Sequence, residues 1–207
     1  LLGAARKRQK PLKLPGSLAD NPRVDVAPFP VSRTDGWKQF VRPLRQARDY
    51  VRFLEPQYAN AAKLADRAGQ YAPAGWAAAL RRRPWLLRHP AWAARGLAIA
   101  ESLVPSEKLY EHSMRAEAPD VVLVTPLVDF GSYQTDYVKS AHRLGIPVAF
   151  LPFSWDNLTN RGLIRIAPDR VLVWNEHQRR EAIDLHGVAA DRVVVVGAPR
   201  FDDFFAM

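Results

Sequence analysis

Four short apolar runs set the rhythm of the second half of the chain, at residues 121–125, 148–153, 170–174 and 192–196. Each is rich in β-branched residues and none alternates with polar positions, the pattern of strands covered on both faces. Helical periodicity fills the gaps, over 133–144, briefly over 157–164, and over 175–186. Strand, helix, strand, helix at this spacing predicts right-handed βαβ units in one parallel sheet. Two helix exits repeat one device: Gly145 leads through Ile146 and Pro147 into a strand, and Gly187 follows His186 before Val188. The predicted fold class is therefore α/β, a Rossmann-like parallel sheet flanked by helices.

The first half is patterned differently. Residues 23–29 alternate with period two and predict a strand closed by Pro28 and Pro30. After a turn at Asp35-Gly36, a long helix is expected over 37–54. Its apolar positions Phe40, Val41, Leu44, Ala47, Tyr50, Val51 and Leu54 recur every three or four residues. Further helices are expected over 59–71 and 91–103, and over 106–118, where Ser106 is placed to cap. This divides the chain into a basic segment and strand (1–32), a helical basic region (33–118) that reads as an insertion, and the βα core (119–207).

Composition sharpens that division. The chain has 207 residues, 48% of them hydrophobic, enough for one sizeable core. It has no cysteine, so disulfides and thiolate metal sites are excluded. No apolar run approaches the roughly 20 residues of a membrane-spanning helix, and the first residues carry no secretory-signal pattern. The net charge of +9 is unevenly placed: residues 1–100 hold nineteen Lys and Arg against six Asp and Glu, and the remainder is mildly acidic. Such a basic half favours an anionic partner, whether a membrane surface, a phosphorylated substrate or nucleic acid. Arg6, Lys7, Arg8, Lys10 and Lys13 near the start are expected in a solvated loop.

In parallel sheets of this kind, ligands bind outside the carboxyl ends of the strands. Thr125, Asp129, Ser132 and Gln134 fall after the first strand of the core. Ser154, Trp155, Asp156, Asn157, Thr159 and Arg161 follow the second, and Asn175 and Glu176 the third. Asp129 or Asp156 can serve as a general base towards a hydroxyl, and Trp155 offers a face for stacking on a sugar ring. Ser154 or Asp156 can equally cap the helix that begins nearby, and Asn175 is well placed as an N-cap. Trp155 is as readily an aromatic at the core edge.

A separate stretch, 73–89, interleaves Arg81, Arg82, Arg83 and Arg88 with Trp76 and Trp85, and Trp92 follows it. Tryptophan with arginine on an amphipathic helix suits an anionic membrane interface. The competing reading packs Trp and Leu into the core with Arg solvated, and it is slightly favoured. Nucleic acid is disfavoured because no RRM-like aromatic pattern is present. The five histidines have no metal-ligand spacing, so no metal is expected. No GxGxxG and no P-loop occur.

The segments TPLVDFGSYQTDYVKSAHRLGIPVAF, SWDNLTNRG, PDRVLVWNEHQRREAIDLHGV and RVVVVGAPRFDDFF resemble bacterial glycosyltransferase-like proteins of the GT-B fold. More distantly, they are similar to nucleotide-sugar 2-epimerases and CDP-glycerol glycerophosphotransferases. The likeness is close over 119–202 and loose over 33–207, and SWDNLT and VWNExQ are its specific parts. Where the family pattern has a Lys after SWDNLT, this chain has Asn160-Arg161, which assigns the basic contact to Arg161. The resemblance implies the acceptor-side domain of a two-domain enzyme, with no cofactor and with a nucleotide-sugar as donor, bound metal-independently by a second domain. The chain opens on Leu and is expected to be a piece of a longer protein, inactive in isolation. A cytoplasmic location is expected, peripheral at the inner membrane face, with cell-envelope glycan or lipid-linked polymer synthesis as the setting. The alternative is a non-catalytic module that binds a partner or membrane through its basic Trp/Arg helices.

Overall fold

The computed structural model describes residues 2–5, 20–76, 82 and 89–205. Arg81, Arg83, Trp85 and Arg88 lie outside the described residues, as do Arg6, Lys7, Arg8, Lys10 and Lys13. Strand β1 (Leu2–Ala5) pairs in parallel with β2 (Val26–Phe29), so the first residues enter a strand rather than a loop. Helices α1 (Lys38–Arg52), α2 (Ala62–Tyr71), α3 (Pro90–Leu103) and α4 (Lys108–Glu117) follow. The core then runs β3 (Val122–Val124), α5 (Gln134–Leu144), β4 (Val148–Phe150) and α6 (Asn157–Asn160). It continues through β5 (Arg170–Val173), α7 (Glu176–Asp184), β6 (Val193–Val195) and α8 (Asp202–Phe205). The α/β class is as the sequence predicts, with all four core strands parallel in the order β3-β4-β5-β6. Both glycine exits adopt positive φ, 72° at Gly145 and 68° at Gly187, where a side chain would be strained.

Among the described residues the two faces of the sheet are unequally buried: β4 is covered on both, as expected, whereas β3 and β6 are not. Val124, Phe150, Val171 and Val193 share a register row, and with Val148 and Val173 they pack against Tyr137, Val138 and Ala141 of α5, Ala182 of α7, and Tyr110 and Met114 of α4. On the opposite face Leu123 is 61% and Val194 40% exposed, and Val121 and Val196 continue the same parity. The expectation of double burial holds for β4 and fails for β3 and β6, for a topological reason. Each successive strand steps to the next position in the same direction, and right-handed crossovers then place every connecting helix on one side.

Helix α1 departs from its expected face as well. Val41, Ala47, Tyr50 and Val51 are buried as predicted, but Phe40 is 67% exposed, while Arg45, Asp49 and Arg52 are buried. The helix lies against polar loops at the carboxyl edge of the sheet, not only against the apolar core. Two helix ends also differ. Ser106 does not cap α4, and its hydroxyl donates instead to Glu111 Oε1 at 2.6 Å. The helix expected over 157–164 ends at Asn160, because the backbone beyond it bonds to α1.

Candidate functional site

The loop after β3 turns at Leu127 and Val128, both fully buried, and climbs to Ser132 before α5 begins. Asp49 of α1 fixes this loop to the one after α6. Its carboxylate accepts from Gly131 N (2.8 Å) and Leu163 N (2.9 Å) and pairs with Arg165. Burial pushes this carboxyl upward, opposed by Arg165 and the two amides. Both glycines beside this bolt are required. A Cβ at Gly162 would stand 2.7 Å from Asp49 Oδ1, and one at Gly131 would meet Gln46 Cγ at 2.8 Å. Arg52, one turn on, donates to the carbonyls of Leu158 (2.7 Å), Arg161 (3.0 Å) and Gly162 (3.0 Å). His186 completes the lacing, taking Ile164 N on Nδ1 at 3.0 Å and donating from Nε2 to Leu158 O at 2.7 Å. Burial, then the charge of Arg52, pushes its pKa well below the usual value, so the ring is neutral.

A second buried network closes the amino-terminal end of α1. Arg45 reaches Asp136 Oδ2 (2.8 Å), Glu101 Oε1 (3.1 Å) and Ser132 O (3.1 Å), and Arg33 reaches Asp136 Oδ1 at 2.7 Å. Lys139 pairs with Glu101 at 3.0 Å. Against the upward push of burial, Arg45 and then Lys139 hold the Glu101 carboxyl below the ordinary carboxylate range.

Between these two networks opens a cleft of about 540 Å³, lined by Lys38, Arg42, Asp129, Ser132, Tyr133 and Gln134 among others. It lies just past the carboxyl end of β3. Its size falls within the roughly 300–1,000 Å³ of small-molecule sites. Asp129 is half-exposed, with Oδ1 3.4 Å from Arg161. Burial raises its pKa, with Arg161 and Arg165 opposing. Ser132 is buried, and its Oγ accepts from Gln134 N at 3.2 Å; Gln134 Nε2 donates to Thr125 O at 2.8 Å. These residues shape the wall that carries Asp129.

The other predicted residues form a neighbouring cluster past β4 and β5. Ser154 Oγ donates to Asp156 Oδ1 at 2.6 Å and Asn160 Nδ2 to Asp156 Oδ2 at 2.5 Å. The Ser154 hydroxyl, with Asn160 also contributing, holds Asp156 below its usual range. A carboxylate with both oxygens engaged and a depressed pKa is a poor proton acceptor, so of the two candidate bases Asp129 is the fitting one. Neither Ser154 nor Asp156 caps α6 with its side chain. Asn157 is corrected from ligand to brace: it is 1% exposed, and its Oδ1 accepts from Phe153 N (3.0 Å) and Ser154 N (3.1 Å). Thr159 Oγ1 donates to Asp156 O at 3.0 Å. Asn175 caps α7 as expected, accepting from Gln178 N at 2.9 Å, and Glu176 stands exposed in that helix's first turn. Trp155 is 72% exposed, so it is not a core-edge aromatic. The core reading of the Trp/Arg stretch fails for Trp76 and Trp92, both exposed, while Arg82 is exposed as that reading expects.

Sequence reasoning missed Asp49, Arg52, Arg45, Arg165, Lys38 and Arg42. The signal was there, since positions 38, 42, 45, 49 and 52 fall on one face of α1. A charged stripe on a helix ordinarily faces water; here it faces the site. Among the described residues, no group of three or more His, Asp or Glu side chains is placed to hold a metal ion, and no helix is long and apolar enough to cross a membrane. No family model, curated protein or solved structure matches this chain.

Proposed function

We propose that this chain is the acceptor-side domain of a glycosyltransferase-like enzyme, with the cleft at the carboxyl end of β3 as its acceptor site. The observation that carries the reading is Asp129: a half-buried carboxyl of raised pKa, set in a cleft at the edge of a parallel sheet where such folds bind ligands. Asp129 takes the proton of an acceptor hydroxyl as that oxygen attacks the anomeric carbon of a nucleotide-sugar donor, breaking its bond to the phosphate oxygen and releasing the nucleotide. Arg161, 3.4 Å away, orients the carboxylate. Tyr133 lines the same cleft and supplies a ring face for a sugar or polyol. Donor binding and metal independence belong to the second domain that the resemblance implies, and cytoplasmic residence near cell-envelope synthesis belongs to the same reading.

The test is a transfer assay on the polypeptide that contains this chain, with a panel of nucleotide-sugars, following nucleotide release. Turnover is expected, and Asp129→Asn should lower kcat by about 10²–10⁴-fold, the usual contribution of general base catalysis. Failure to consume any nucleotide-sugar, together with no saccharide or polyol bound by this chain, would sink the reading.

One observation favours the second reading, a membrane or partner-binding module. Trp92, Ile99 and Leu103 form an exposed stripe along α3, beside the basic stretch at 81–88. Co-sedimentation with anionic vesicles and not with neutral ones would favour it.

A further inference from the structure

We propose that the molecule bound in this cleft carries a phosphate ester, held by Lys38 and Arg42 on α1. The inference rests on the acceptor reading above and names the chemistry that reading leaves open. The charges lining the cleft do not balance: Arg33, Lys38, Arg42 and Arg45 face only Asp129 and Asp136. Arg33 and Arg45 are consumed by Asp136, with Asp35 and Glu101 behind it. Asp129 is taken by Arg161. Among the described residues, neither Lys38 nor Arg42 has a carboxylate within ion-pair distance. Two positive charges therefore remain in the cleft, matching the nearly two negative charges of a phosphate monoester at neutral pH.

Backbone dipoles add to this excess. Helix α1 begins at Lys38 and α5 at Gln134, both lining the cleft, with one early amide of each already taken: Trp37 N by Asp35 Oδ1 (3.1 Å) and Gln134 N by Ser132 Oγ (3.2 Å). The first turn of α1 holds no acidic residue. The two helix starts meet where two uncompensated cations stand one helical turn apart, although Asp35 at the start of α1 and Asp136 in the first turn of α5 offset part of the dipoles. An Arg with a Lys suits a phosphate, the guanidinium bidentately and the ammonium as a point charge. The remainder of the ligand lies towards Tyr133 and Asp129, which places a hydroxyl, not the phosphate, at the carboxylate. A phosphate against Asp129 would meet like charge.

The experiment titrates this chain by NMR, reading amide shifts at Ser132, Tyr133 and Gln134, with glucose, glucose 6-phosphate and inorganic phosphate. Vesicles of phosphatidic acid or phosphatidylcholine are tested by co-sedimentation. Lys38 and Arg42 are exposed, so Lys38→Ala/Arg42→Ala folds normally, and Lys63→Ala on α2 is the control. Glucose 6-phosphate is expected to bind more tightly than glucose, with inorganic phosphate competing. The double variant should raise its Kd by about tenfold or more, as two ion pairs suggest, and Lys63→Ala should leave it unchanged. Phosphatidic acid vesicles that bind in the same Lys38- and Arg42-dependent way identify a lipid-borne phosphate; binding of the soluble ester alone identifies a soluble one. Equal binding of glucose and glucose 6-phosphate, or an unaltered double variant, overturns the phosphate inference and leaves the acceptor cleft standing. If no compound shifts these amides, the phosphate inference is overturned; the acceptor reading falls with it only when the transfer assay also consumes no nucleotide-sugar.

Discussion

Asp49 shows how much of this site depends on single buried charges. A carboxylate taken wholly out of water is costly unless its oxygens are matched, and here Arg165 and the amides of Gly131 and Leu163 match them. Replacing it by Ala strands the Arg165 guanidinium, whose side chain is 0% exposed. Asp49→Ala is expected to cost about 3–5 kcal/mol, as removal of one partner of a buried pair does. Urea denaturation measures it. A loss below about 1 kcal/mol, the scale of a surface pair, would show that the bolt is dispensable. Asp129 sits in the same loop as Gly131, so its position depends on a residue about eighty positions earlier.

At the scale of elements, the interest lies in how helix ends meet loops. The ring of His186, just past α7, holds the 158–164 loop through Leu158 O and Ile164 N, and both bonds need a neutral imidazole with its proton on Nε2. Because its folded pKa is depressed, the unfolded chain binds a proton that the folded chain refuses. Its contribution is therefore complete above the unfolded value of about 6.5 and is lost as pH falls below it, by at most about 1.4 kcal/mol per pH unit. Tm should decline between about pH 7 and pH 5.5, and His186→Asn, whose Oδ1 can replace Nδ1, should flatten that decline. An unchanged slope in the variant would exclude His186 as its source. This role was hidden in the sequence, where a histidine late in a helix reads as a solvated cation near the dipole. Other elements were legible because their signals are local: the Gly145 and Gly187 exits, the Asn175 cap and the parallel strands all follow from residues within a few positions. Asp129, Ser132 and Gln134 were legible because a βα loop is where such folds bind. Asp49 was not, because its partners lie far away in sequence, nor were Lys38 and Arg42, because the loop they face is nearly a hundred positions later and their own helix pattern points to solvent.

For the molecule as a whole, the unequally covered sheet is the governing feature. Consecutive strands, always stepping the same way, give one face a dense core and leave the other exposed at β3 and β6 among the described residues. Substitution should feel this asymmetry. Phe150→Ala on the covered face is expected to cost about 3–5 kcal/mol, and Leu123→Ser on the open face less than about 1 kcal/mol. Chemical denaturation of the two variants measures the difference, and equal costs would mean that the open face is covered in solution. The same geometry explains the crowding of function at one edge. With one face filled by α4, α5 and α7, the loops at the strand ends, roofed by α1, are left to form a pocket.

That roof has a consequence for how the chain is made. Residues 33–52 leave the ribosome long before their partners: Asp49 waits for Arg165, Arg52 for Leu158, and Arg33, just ahead of α1, for Asp136, each more than 100 positions later. An apolar surface kept waiting through that interval invites aggregation. On α1, the face destined for the sheet edge is built from Arg45, Asp49 and Arg52, which water solvates well until the late strands emerge. The lining of the cleft is complete in sequence at Asp136, but Asp49, which holds the loop carrying Asp129, gains its Arg165 partner only after residue 165 has emerged.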